Sequence, residues 1–198
     1  MTDYAAYLAP DALAADDWAD QVIALLPDSL IPDYQSEDFD EDEAFPREAL
    51  EEVCEELLSH PRAVSHPDWS KVLRALVALS EDYRELTDDA YGEALDPDDA
   101  ADDEGGVVDM MEDLGLSTIG DAFTLLAIPA AVERDDWPEL FRHVLAEKKA
   151  RYGTSLFLSY GWEEADELFE ADHVRTHPLA RTLWEEANEI LPLKSNSP

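Results

Sequence analysis

Between Glu85 and Glu133 the chain carries fifteen acidic residues and neither lysine nor arginine. A second stretch without a basic residue begins at Met1 and ends only at Arg47. Like charge at this density works against a compact state through self-repulsion. It also repels nucleic acid and anionic membrane, and it attracts basic proteins and cations. Where the charge sits therefore limits both the fold and the partners.

The formal net charge is −36 over 198 residues. It is unevenly divided: −13 over residues 1–46, −3 over 47–84, −15 over 85–133 and −5 over 134–198. A small soluble domain is served by a net charge of only ~2–8, so the excess calls for a basic partner, bound cations or a salty cytoplasm. The chain is still globular in composition, with 45% hydrophobic residues, five Trp and seven Tyr. A chain equally acidic but poor in aromatics reads as disordered. This length predicts one domain, spanning 1–198. The lone Cys54 rules out an intrachain disulfide. Met1-Thr2-Asp3-Tyr4 shows neither a positive nor an apolar leader region, and no apolar run approaches the ~20 residues of a membrane span. The expectation is a cytoplasmic protein.

Apolar spacing predicts an all-α fold: a single compact domain of about seven helices, an irregular helical bundle with acidic loops. The clearest stripe is Leu50, Val53, Cys54, Leu57 and Leu58, at i, i+3, i+4, i+7, i+8. Glu48, Glu51, Glu52, Glu55 and Glu56 fall on the opposite arc. Cys54 lies in the apolar set and reads as core rather than nucleophile. Helices are also expected over 11–26 (capped by Asp11), from Pro67 to about Leu86, over 107–114 and from Ser117 to Pro129. Others run from Asp135 or Asp136 to Gly153, over 162–170, and from Thr176, as cap, to Leu191. Lys148, Lys149 and Arg151 suit the negative C-terminus of the helix that Gly153 closes. Residues 156–158 read equally as strand or helix. Residues 27–46 and 87–106 read as acidic loops and 194–198 as a tail. No fixed period of 20–50 residues repeats, so no solenoid is expected.

Catalytic and metal-binding patterns are weak. Asp38, Asp40 and Asp42 match the first ligands of an EF-hand loop, but Glu43 and Ala49 stand where Gly and Glu are needed. Glu170 to His173 is one Glu-x-x-His step, where di-iron bundles use two. His173 and His177 are four apart, but Pro178 starts a helix beside His177 and separates their faces. There is no Gly-x-Ser-x-Gly and no P-loop. Catalytic residues, cofactors and metals are therefore all read as none.

Carboxylate rows on the expected helices at 47–59, 162–170 and 178–191 are the sharper feature. Neighbours at i, i+3 and i+4 stand about 5–6 Å apart, and such rows can imitate the phosphates of duplex DNA, one charge per ~1.7 Å of axis. The expected function is an acidic interaction protein that binds and blocks a basic protein, one that handles nucleic acid. DNA-mimic, anti-restriction, anti-CRISPR and toxin-immunity proteins form that class. Its contacts are expected at Glu51, Glu52, Glu55, Asp98, Asp99, Asp102 and Asp103, without direct nucleic-acid or membrane binding. The alternative is a haloadapted cytoplasmic protein, which four Lys, nine Arg and 26 Asp would suit.

Overall fold

A computed structural model of the chain describes residues 2–27, 46–79, 118–152, 162–191, 193 and 197. The acidic loop expected over 27–46 (but for its two end residues), the loop at 87–106, the helix at 107–114, the segment 156–158 and most of the tail lie outside the described residues. The all-α expectation holds: the described residues form twelve α-helices and one π-helical segment. That is more than the seven expected, because short helices stand where turns were read.

The elements fall into four successive units of three. The first comprises α1 (Tyr4–Tyr7), α2 (Pro10–Leu13) and α3 (Trp18–Ile23). In the second, α4 (Pro46–Glu52) continues as the π-helical segment Val53–Leu58, followed by α5 (Pro61–Val64) and α6 (Trp69–Ala78). The third is α7 (Thr118–Leu126), α8 (Pro129–Val132) and α9 (Trp137–Tyr152). The fourth is α10 (Trp162–Glu170), α11 (Asp172–Arg175) and α12 (Ala180–Asn188). We call the members of each unit the A helix, the corner helix and the B helix.

Every corner helix has four residues and follows a residue with extended backbone: Ala9, His60, Ile128 or Ala171. Three begin with proline, whose fixed φ and missing N–H suit a first helical position. From corner start to B-helix start the step is constant: 10 to 18, 61 to 69, 129 to 137 and 172 to 180, eight residues each. The one long helix expected over 11–26 is therefore broken between α2 and α3. Likewise Thr176 is the C-cap of α11, not the N-cap of the last helix, which begins at Ala180.

Like elements pack on like. Among A helices, α1 meets the π-helical segment, which meets α7, which meets α10. Among B helices, α3 meets α6, α6 meets α9, and α9 meets α12. Corner α8 touches both α5 and α11. The result is an all-α bundle whose units stack as in a short α-solenoid, each burying its apolar face against the next. The apolar stripes read from the sequence line the shared core: Leu50, Val53, Cys54, Leu57 and Leu58 are buried, as are Val72, Leu73, Leu76, Phe123, Phe141 and Phe169.

One bond recurs at each of the first three corners. The B helix opens with a tryptophan whose indole N–H donates to the last carbonyl of the same unit's A helix. Trp18 Nε1 reaches Tyr7 O at 3.1 Å, Trp69 Nε1 reaches Leu58 O at 3.1 Å, and Trp137 Nε1 reaches Leu126 O at 2.9 Å, each spanning eleven residues. Helix C-termini leave carbonyls without intrahelical partners. The indole satisfies one of them while its ring fills the core; all three tryptophans are at most 1% exposed. Replacing Trp69 by Phe removes the donor and leaves Leu58 O buried. We expect a loss of about 1–3 kcal/mol in urea unfolding followed by far-UV circular dichroism. Trp69→Ala, which also opens a cavity, is expected to cost about 3–5 kcal/mol.

Candidate functional site

The A and B layers differ sharply in charge. The four A helices, counting the π-helical segment, contain eleven acidic residues and one basic one. The four B helices contain five acidic residues and seven basic ones. Cationic side chains in the B layer reach across units: Lys71 pairs with Asp20 of α3, and Arg142 holds Glu186 of α12 through two bonds of 2.8 and 2.9 Å. Arg142 is held above its ordinary pKa mainly by that bond.

On the A layer, Glu51, Glu52, Glu55 and Glu56 are all exposed, on the arc opposite the buried stripe. Glu163, Glu167 and Glu170 are exposed on α10. Tyr4 Oη donates to Glu52 at 3.4 Å, and burial followed by the Glu52 charge raises the pKa of Tyr4. The structure thus brings Glu51, Glu52 and Glu55 onto one exposed surface. Asp98, Asp99, Asp102 and Asp103 lie outside the described residues.

Two charged side chains depart from the sequence reading. Glu164, expected on the outward face of α10, is partly buried: a Cβ built on Gly120 of α7 would lie 2.9 Å from Glu164 Oε1. The absent side chain at Gly120 leaves the space that the Glu164 carboxylate occupies. Burial, then the neighbouring charges of Asp121, Glu163 and Glu167, raise the Glu164 pKa. Lys148, expected to serve the negative C-terminus of its helix, is 1% exposed, and burial lowers its pKa.

At the corners, a ladder of side chains ties each unit to the one before. Position five past the corner start is His66, Arg134 or His177 in units two, three and four. Each lies over the tryptophan of the preceding unit. His66 is 4.1 Å from Trp18 centre to centre, Arg134 Cζ is 5.4 Å from the Trp69 centroid, and His177 meets Trp137 edge-on at 4.8 Å. His66 Nδ1 accepts the N–H of Asp68 and His177 Nδ1 that of Leu179. Each neutral ring therefore carries its proton on Nε2, and His66 Nε2 donates to Leu13 O at 3.1 Å. Burial lowers the His177 pKa, which keeps the ring neutral. Arg134 donates to Val64 O and, at 2.9 Å, to His66 O, and forks onto Asp136 at 2.8 and 2.9 Å. That bond, more than the charge alone, holds the Asp136 carboxyl below its ordinary pKa. A second rung joins Arg62 to Leu8 O at 3.4 Å and His173 to Ala127 O at 2.6 Å. His173 and His177 thus each serve the backbone of a corner. Among the described residues no three His, Cys, Asp or Glu side chains gather as metal ligands, and no helix is long and apolar enough to cross a membrane.

No protein-family model, curated protein or solved structure matches this chain.

Two measurements follow from these contacts. For Glu164, a folded pKa above the unfolded one means that ionisation opposes folding at neutral pH, and the penalty fades as pH falls through the folded pKa. Glu164→Gln is therefore expected to raise the urea midpoint at pH 7, with the gain shrinking toward pH 4. For the ladder, Arg134→Lys keeps the charge but loses the fork. It is expected to cost roughly 1.5–3 kcal/mol, measured by the same denaturation.

Proposed function

We propose that this chain is an interaction protein whose acidic A-helix layer binds and blocks a basic protein, one that handles nucleic acid. The observation that supports it is sidedness. The A helices carry eleven acids against one base, while the B helices carry five against seven. A general need for solubility or for function in high salt spreads acidic residues over all faces, which is why we prefer this reading to haloadaptation. Stacked units offer a broad surface made of parallel elements. Carboxylates three and four apart on α4, its π-helical continuation and α10 give that surface rows of charge with neighbours about 5–6 Å apart. Long-range attraction speeds association with a basic groove and weakens as salt rises. We expect the encounter in the cytoplasm, where a lone buried thiol such as Cys54 stays reduced.

The reading is tested with the protein immobilised and challenged with cell lysate at 0.1 M and 0.5 M KCl. A basic nucleic-acid-binding protein should be retained at low salt, weakened at high salt and displaced by duplex DNA. Glu51→Lys, Glu52→Lys and Glu55→Lys together should abolish retention while leaving the circular dichroism unchanged. Retention that survives this triple reversal, or a chain that folds only in molar KCl, would overturn the proposal.

A further inference from the structure

The three joints between corners are not equivalent. Leu13, Val64 and Val132 end the first three corner helices. His66 of the next unit donates to Leu13 O, and Arg134 of the next donates to Val64 O. At the third joint His177 meets Trp137 edge-on, yet among the described residues no side chain donates to Val132 O. An open groove of about 640 Å³ lies there, with Val132, Glu133, Asp135, His177, Pro178 and Leu179 in its lining. Leu179, 38% exposed, is the one large hydrophobic side chain among the described residues that stands so far into water.

We propose that this groove captures an arginine side chain of a basic partner; the inference rests on the interaction reading above and adds to it a specific pocket. The joint next to it shows what such a carbonyl selects. Arg134 gives its guanidinium to Val64 O and His66 O and completes its shell with the Asp136 carboxylate. The third joint presents the matching set: the carbonyl end of α8, the carboxylates of Glu133 and Asp135, and the apolar ring and side chain of Pro178 and Leu179. The methylene stem of an arginine suits that ledge, and its fork suits a carbonyl beside carboxylates. Arg134 also lines the groove, but its charge is neutralised by Asp136. His173 also lines the groove, with its Nε2 on Ala127 O, which leaves Glu133 and Asp135 as the exposed charges there. Lysine, a point charge without the fork, fits less well.

The test titrates N-acetyl-arginine amide into the ¹⁵N-labelled full chain and follows amide and indole shifts. Saturable shifts at Val132 to Asp136, the Trp137 indole and Leu179 are expected, with no response to the uncharged isostere N-acetyl-citrulline amide. The exposed pair Glu133→Gln and Asp135→Asn should weaken binding about tenfold or more without altering the fold. No saturable binding, an equal response to citrulline, or shifts spread over α4 and α10 and unaffected by the double variant would overturn the groove. Arginine-amide binding with no basic protein retained from lysate would support the groove and count against the interaction reading. Retention without arginine-amide binding would overturn the groove alone.

Discussion

The architecture depends on one hydrogen bond made three times: an indole N–H reaching back eleven residues to the last carbonyl of the preceding A helix. The bond fixes where the B helix starts relative to the end of the A helix, and a four-residue corner of constant length fills the interval. A corner so short cannot hold itself as an isolated helix. In the first three units proline presets its first dihedral and the tryptophan anchors its far end in the core; the fourth corner forms at the same step with Asp172 and Ala180 in those places. Once each unit has this shape, A helices can lie against A helices and B against B, and a layered stack follows.

The units are then joined by chemistry that exploits the same tryptophan. Its ring face or edge receives His66, Arg134 or His177 of the next unit, and two of these three also donate to the carbonyl closing the previous corner. A cation over an indole contributes about 0.5–2 kcal/mol and a neutral aromatic pair about 0.5–1.5 kcal/mol, and the charged bonds of Arg134 add to that. The first and fourth described units depart from the rule. Ala15 occupies the ladder position in the first described unit. Ala180 replaces the tryptophan in the fourth. The joint between the third and fourth units holds the open groove.

Much of the core was legible, because burial leaves a period. Leu50 to Leu58 shows helical spacing, and each residue read as inward in that run is buried. The corners were not legible. Four residues are too few to display a period, and a proline reads as a stop when it is in fact a start. The repeat escaped detection because segments of unequal length separate the units and its defining positions change chemistry. Pro10, Pro61 and Pro129 align with Asp172; Trp18, Trp69 and Trp137 align with Ala180. His66 and Arg134 share only the ability to cover an indole and donate to a carbonyl. Glu164 was misplaced because its outward position on α10 meets Gly120 of α7, a contact between units that no local pattern encodes. Of the expected contact residues, Glu51, Glu52 and Glu55 could be read as a face because helical geometry alone puts them there. That this face belongs to a layer of like charge became visible only when the A helices were found side by side.

The central claim is that charge is segregated by layer, acidic on the A helices and near balance on the B helices. Stacking like on like makes that segregation possible: each element type meets its own kind and keeps one face for water. The most direct measurement is paramagnetic relaxation of backbone amides by a cationic and an anionic nitroxide of the same size at low ionic strength. Amides of Glu51 to Glu56 and Glu163 to Glu170 should be relaxed preferentially by the cationic probe, while exposed amides of α6 and α9 should show little preference. An equal preference for the cationic probe on both layers would contradict the account.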